Sequence, residues 1–265
     1  MVLTEKGRSP RGAALFAVCE TSPVRPPLTV ATAQIACVPG DIEANIARHL
    51  PLLAEAARAG AQVVLFTELS LVGYELELIA RDLPELAVTE ADPRLDALRT
   101  ACVEYGVHAI VGAVTPTATG YALSSLVFDD RGELIASYAK HHLHGREIEL
   151  FEPGSAHPIV EIAEWPLGLA ICADLNYPEH ARVTVAAGAV VYLASALYTT
   201  GAEDRRDNHL RAAAFENNCW TVLSAYAGQC ELGPTTGGSG IWNPGGILLG
   251  RAGTDTPALI TATLT

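Results

Sequence analysis

At 265 residues with 49% hydrophobic content, the chain is long enough to bury one substantial core, and no composition break divides it, so a single domain over 28–265 is expected. Its 17 Lys and Arg against 30 Asp and Glu leave a formal charge of −13 without a basic cluster, which excludes the footprint of a nucleic-acid binder and favours a small-molecule partner. No apolar run approaches the roughly 20 residues that cross a bilayer, so no membrane partner is expected.

Residues 1–27 place Lys6, Arg8 and Arg11 before a short apolar run, 13–18. The run is at the short end for a secretion signal and no small-x-small cleavage site follows, so a poorly ordered tail ending at Pro23, Pro26 and Pro27 is expected. A β-branched strand follows at 28–37, and Pro39-Gly40 turns the chain. Asp41 is an N-cap residue for a helix with Ile42, Ile46, Leu50 and Leu53 on one face, which Pro51 should kink and Gly60 should end. A strand at 62–66 completes a strand-helix-strand unit, which implies parallel pairing. A helix is expected at 93–105, then strands at 108–115, 121–128 and 134–138, the last two joined by a hairpin turn at Asp129-Asp130-Arg131-Gly132. The sheet is therefore mixed. Strands at 158–162 and 167–172, a helix at 178–187, a strand at 189–194, a helix at 204–217 and a strand at 220–225 follow. The segments 239–242, 247–249 and 258–264 read as hairpin material around Asn243-Pro244-Gly245-Gly246. Strands this apolar need cover on both faces, and the helices are too few to clothe two open sheets, so two sheets packed face to face with helices outside are expected.

Three strand ends carry reactive groups. Glu68 closes an apolar strand, where burial would raise its pKa and make it a base near neutrality; an exposed acid is the plainer reading. Lys140 closes 134–139 and could hold a developing oxyanion, or be a surface charge. Cys172 ends the apolar run 167–171 just before Pro178-Glu179, where a helix starts. Amides at that start would lower its pKa and donate to an oxyanion, although a buried inert thiol fits a cysteine equally well. The run His141-His142-Leu143-His144 lacks both helical i, i+4 spacing and a carboxylate or thiolate at a familiar distance, so no metal is expected there. The six Cys include no CxxC pair and lie mostly in apolar runs, as in a reducing, cytoplasmic compartment.

Taken in order, Thr67-Glu68-Leu69 with Gly73-Tyr74, Tyr138-Ala139-Lys140-His141-His142-Leu143 leading to Phe151-Glu152-Pro153-Gly154, and Ile171-Cys172-Ala173-Asp174 leading to Tyr177-Pro178-Glu179 resemble the three signature blocks of the nitrilase superfamily, the carbon-nitrogen hydrolases. The likeness extends from about residue 28 to the end, including Glu216-Asn217 and the turn after Trp242. It implies an α/β fold, a four-layer α-β-β-α sandwich of two mixed sheets. Cys172 would be the nucleophile, Glu68 the general base and acid, and Lys140 with the Ala173 amide the oxyanion site. Glu147, four residues before Phe151, would be the second glutamate that orients Lys140, with Glu149 as the competing assignment. Tyr74, His142, Ala173, Tyr177 and Tyr198 are expected to line the substrate pocket. The resemblance implies no cofactor, and it implies a homodimer or higher homo-oligomer built on 178–187 and 204–217 through Val183, Val185, Leu210 and Phe215. Thr67 stands where the family commonly has proline, Ala173 where an aromatic is frequent, and Ala213 where an arginine is common. Ala173-Asp174 argues against the nitrile-cleaving branch, which usually has tryptophan then glutamate. The expected activity is thiol-dependent hydrolysis of a small linear amide. N-carbamoyl or nitrile hydrolysis, or a catalytically silent binding or scaffold protein, are the alternatives.

Overall fold

The computed structural model describes residues 25–265, so the tail expected over 1–27 lies outside it except for its last three residues. Those three are tied down. The Trp165 indole donates to the Pro26 carbonyl at 2.7 Å, and the Arg25 guanidinium sits 5.6 Å over the same ring.

The opening strand-helix-strand unit forms as β1 (Leu28–Gln34), α1 (Ile42–Arg58) and β2 (Val63–Leu65), with the two strands parallel. The Asp41 carboxylate accepts from the Ala44 amide at 2.9 Å, which caps α1. Pro51 lies inside α1, which continues past it to Arg58. Its ring is on the exposed side, and the buried Leu52, Leu53 and Ala56 hold the second half against the sheet. Next come α2 (Leu76–Leu86), a single 3-10 turn at Pro93–Leu95, α3 (Asp96–Tyr105), β3 (His108–Pro116), β4 (Tyr121–Phe128), β5 (Leu134–Ala139) and the one-turn α4 (Glu147–Leu150). The second half holds β6 (Ile159–Ile162), β7 (Trp165–Ile171), a 3-10 turn at Cys172–Asn176, α5 (Pro178–Ala186), β8 (Val191–Ala196), α6 (Glu203–Asn217) and β9 (Trp220–Ala225). The chain ends with β10 (Gln229–Cys230), β11 (Gly233–Pro234), β12 (Gly240–Trp242), β13 (Leu248–Arg251) and β14 (Ala258–Leu264).

Two mixed six-stranded sheets result, with orders β14-β1-β2-β3-β4-β5 and β13-β12-β9-β8-β7-β6. Each centres on three parallel strands, β1-β2-β3 and β8 flanked by β7 and β9, with antiparallel strands outside. The tail is only partly hairpin. β12 and β13 pair locally, whereas β14 crosses to pair antiparallel with β1, from Leu28 opposite Leu264 to Gln34 opposite Ala258. The helices α1 and α3 cover the first sheet, and α5 and α6 cover the second, giving the layers α-β-β-α. Among the described residues no helix is long and apolar enough to cross a membrane.

Hydroxyls stitch the sheets together where they face each other. Thr32 donates to the Leu223 carbonyl, Ser224 to that of Ala33 and Ser195 to that of Phe66, each at 2.7 Å. Thr67 joins this set by donating to the Ala196 carbonyl at 3.2 Å, a bond that a proline there could not make. At Gly112 in β3 the backbones close up. A Cβ there would lie 2.3 Å from the Leu69 amide nitrogen and 2.6 Å from the Thr67 carbonyl oxygen, both main-chain atoms that cannot swing away. We therefore expect Gly112→Ala to lower the unfolding free energy in urea by about 1–3 kcal/mol and to displace Glu68 and depress activity. Gly120→Ala, whose Cβ would meet only the tip of Glu152, should stay within about 0.5 kcal/mol.

Candidate active site

Glu68 leaves the C-terminal end of β2, the edge at which α/β sheets place ligand sites. The turn that points it inward is strained: Leu69 adopts φ +50°, a left-handed conformation unusual for leucine, and the Gly73 amide bonds back to its carbonyl at 2.7 Å. Ser70 fixes that turn. Its hydroxyl oxygen accepts from the Gly112 amide at 3.0 Å and lies 3.0 Å from Nε2 of His49, whose Nδ1 donates to the Asn45 carbonyl at 2.6 Å. Burial lowers the His49 pKa to about 4, so the ring is neutral and takes the Ser70 proton at Nε2.

Lys140 follows β5 and is fully buried. Its Nζ donates to Glu68 Oε1 at 2.7 Å and to Glu147 Oε1 at 2.8 Å. Glu147 also accepts from the Tyr74 hydroxyl at 2.6 Å and from the His144 amide at 2.9 Å. Glu147 is buried and Glu149 exposed, which decides between the two candidates for the glutamate on Lys140. Burial works against the ammonium charge, but Glu68, Cys172 and Glu147 outweigh it and hold the Lys140 pKa above the ordinary lysine value. Glu68 moves the other way. Burial raises its carboxyl to about 7, with Lys140 pulling down and Glu147 pushing up. Its second oxygen, Oε2, meets no nitrogen or oxygen donor among the described residues and is free to take a proton.

Cys172 sits at the first residue past β7 with φ +46°, so the strand breaks sharply at the sulfur. The thiol donates to the Leu197 carbonyl at 3.5 Å. The expected lowering of its pKa does not occur. Burial and the carboxylates of Glu68 and Glu147 push it up and outweigh Lys140 and the Leu197 carbonyl contact, which pull it down; Cys172–Asn176 is a short 3-10 turn rather than the start of α5. The resting sulfur is a thiol, and ionising it requires a proton acceptor beside it. Asp174 braces the bend. One oxygen accepts from the Ile171 amide at 2.9 Å and the Tyr138 hydroxyl at 2.6 Å, and the other accepts from the His142 amide and Nδ1, both at 2.9 Å.

A cavity of about 160 Å³ opens onto Cys172 and is lined by Tyr74, Ala173 and Tyr198, three of the five residues expected to face substrate, and by Glu147, His144 and Leu197. His142 and Tyr177 are not part of it. Asp174 draws His142 away, and its ring stacks on Tyr177 at 3.9 Å, while Tyr177 lines a separate cleft against α6 that includes Ala213. Asn176, Thr199, Arg205 and Leu232 complete the cavity and carried no motif in the sequence. For Thr199 a signal existed, since it follows β8 as Glu68 and Cys172 follow their strands. In the expected dimer seam Val183 and Phe215 are exposed, but Leu210 is buried in the core beneath α6 and cannot take part.

The carbon-nitrogen hydrolase family model matches residues 29–265. The chain belongs to the carbon-nitrogen hydrolases. Among known carbon-nitrogen hydrolases and their neighbours, a Pseudomonas protegens protein named "Hydrolase in pqqF 5'region" is 30% identical over 85% of this chain and 79% of its own. The 2-oxoglutaramate amidase of Bacillus subtilis is 28% identical over 73% and 74%. The amidase from Nesterenkonia sp. AN1 in complex with butyramide superposes with a TM-score of 0.82 at 26% identity, covering 89% of this chain and 90% of that one.

The raised pKa of Glu68 has a consequence for stability. The folded chain holds this proton more tightly than the unfolded one, where the value is near 4.5, so the contribution is complete below about pH 4.5 and is lost as pH rises to about 7. The amide of Glu68→Gln cannot ionise. Its melting temperature relative to wild type should therefore climb between pH 5 and pH 7 and level off above, whereas a difference that is flat across this range would contradict the burial argument.

Proposed function

We propose that this carbon-nitrogen hydrolase cleaves a small linear amide through a thioester on Cys172. The observation that carries the reading is the single buried cluster in which one ammonium bridges two carboxylates beside a thiol that opens onto a cavity. In the proposed cycle Cys172 Sγ attacks the amide carbon while its proton passes to Glu68 Oε2. The carbonyl oxygen becomes an oxyanion held by Lys140 Nζ and the Ala173 N–H. The C–N bond then breaks, Glu68 returns the proton to the departing nitrogen, and ammonia or an amine leaves. Water attacks the thioester with Glu68 again as base, releasing the acid and restoring the thiol. Glu147 acts through Lys140, holding it on the oxyanion side.

The acyl end faces Tyr198, Leu232 and Arg205. Arg205 lies 5.7 Å over the Tyr198 ring and has no carboxylate within 4 Å among the described residues, an arrangement suited to an amide bearing a distal carboxylate. One relative's name, 2-oxoglutaramate amidase, describes such a substrate for that protein. An exposed Val183 and Phe215 on α5 and α6 support the proposed homodimer, and sedimentation showing only monomer at micromolar concentration would reject it.

The purified protein should release ammonia from linear amides, with Cys172→Ala inactive. Arg205→Ala should raise KM about tenfold or more for ω-amides carrying a carboxylate, with much smaller change for neutral amides of the same length. Equal losses on both substrates would remove Arg205 from recognition, and ammonia release by Cys172→Ala at the wild-type rate would refute the thioester.

A further inference from the structure

Outside the catalytic cluster, three imidazoles converge from separate stretches of chain. His141 lies in the loop after β5, His157 in the segment entering β6 and His180 in the first turn of α5. One ring nitrogen of each lies within 4.8 Å of one from both others. Ring centroids are 4.5 Å apart for His141 and His157, 4.8 Å for His157 and His180, and 5.1 Å for His141 and His180.

Hydrogen bonds decide which nitrogen each ring has to offer. His141 Nε2 donates to the Ala156 carbonyl at 2.9 Å, which leaves the Nδ1 lone pair free. The Thr184 hydroxyl gives its proton to the His180 carbonyl at 2.8 Å, so its oxygen must accept from His157 Nδ1, also at 2.8 Å, and the His157 Nε2 lone pair is free. His180 is held between two phenols, Nδ1 at 2.8 Å from Tyr192 and Nε2 at 2.7 Å from Tyr138, whose own proton is committed to Asp174. To offer Nε2 to a metal, the ring proton must move to Nδ1 with the Tyr192 hydroxyl turning its own proton away, and the Tyr138 oxygen must swing off the Nε2 lone pair. Each of the three rings can thus have one nitrogen tied to a protein oxygen and the other available, the pattern by which proteins orient histidine ligands. Asp174, with an oxygen 3.8 Å from His180 Nε2, adds a nearby negative charge without belonging to the cluster.

We propose that His141 Nδ1, His157 Nε2 and His180 Nε2 form a binding site for a divalent transition metal of the zinc class. Three neutral nitrogen donors with no carboxylate among them favour zinc, cobalt, nickel or copper over magnesium or calcium. Metal-nitrogen bonds of about 2.0–2.1 Å require the rings to draw together, which the half-exposed His141 and His157 can do by small shifts of their segments. The metal would clamp the loop that carries Glu147 to the helix that follows the Cys172 bend. Its effect would therefore be to stiffen the site without entering the chemistry.

Cobalt titration of the full chain tests this, read by visible absorption and melting temperature in a Cys172→Ala background that keeps the reactive thiol out of the ligand set. We expect one equivalent to bind, a rise in melting temperature, displacement by zinc and no response to magnesium. His157→Gln should weaken binding at least tenfold. Thr184→Val, which removes only the oxygen orienting His157, should weaken it by about 10- to 100-fold, and His144→Gln should leave it unchanged. Should His157→Gln fail to show native circular dichroism, the half-exposed His141→Gln takes its place. Absence of saturable cobalt binding at micromolar protein, binding indifferent to His157→Gln or His141→Gln in a natively folded chain, or binding lost instead in His144→Gln would overturn the assignment.

Discussion

The structure is organised around one contact, the Lys140 ammonium wedged between the Glu68 and Glu147 carboxylates, with all three side chains buried. Two acids in such a place repel each other unless a cation separates them, and a cation there is costly unless acids surround it. Breaking a buried pair of this kind by removing one partner costs about 3–5 kcal/mol. Two strand ends and the turn α4 must therefore meet within hydrogen-bond distance. The sheets stack so that β2 and β5 finish at the edge of the sandwich where β7 delivers Cys172. Gly154 shows how tight the meeting is: its amide bonds the Lys140 carbonyl at 2.9 Å, and a Cβ there would lie 2.2 Å from the Ala139 oxygen.

The same contact explains why the thiol rests protonated and still has a route to ionise. With Lys140 shared by two carboxylates, a third negative charge on sulfur is disfavoured, so the proton must move to a partner already raised toward neutrality. Glu68 meets that requirement chiefly by burial, with Glu147 adding to the rise. The strain at Leu69 and Cys172 aims the two groups, and each is held by a polar network of its own. Ser70 and His49 hold the first. Asp174, with Tyr138 and His142, holds the second, and among the described residues no Lys or Arg partners this buried carboxylate.

Much of this could be read from the sequence because strand ends in α/β folds carry chemistry and the apolar runs before Glu68, Lys140 and Cys172 are unmistakable. What could not be read has identifiable causes. α2 was missed because Asp82 leaves helical geometry inside it, Pro84 follows, and no side chain caps its start. The strand 258–264 was visible, but its partner was not, since pairing with β1 links opposite ends of the chain. His142 and Tyr177 stand close in sequence to Lys140 and Cys172, yet the carboxylate of Asp174 turns His142 onto Tyr177, a competition that spacing does not reveal. Glu147 and Glu149 differ only in which side of a single helical turn they occupy, and the Lys140 ammonium selects between them.

The account stands or falls on whether the sulfur of Cys172 carries the acyl group. Rapid acid quench during turnover of a linear amide, followed by peptide mass spectrometry, reads this directly. The prediction is an acyl mass on the peptide containing Cys172 that appears during turnover, disappears once the substrate is exhausted, and is absent when Cys172 is alanine. Acylation of another cysteine, or turnover with no acylated peptide in a chain that lacks this thiol, would contradict it.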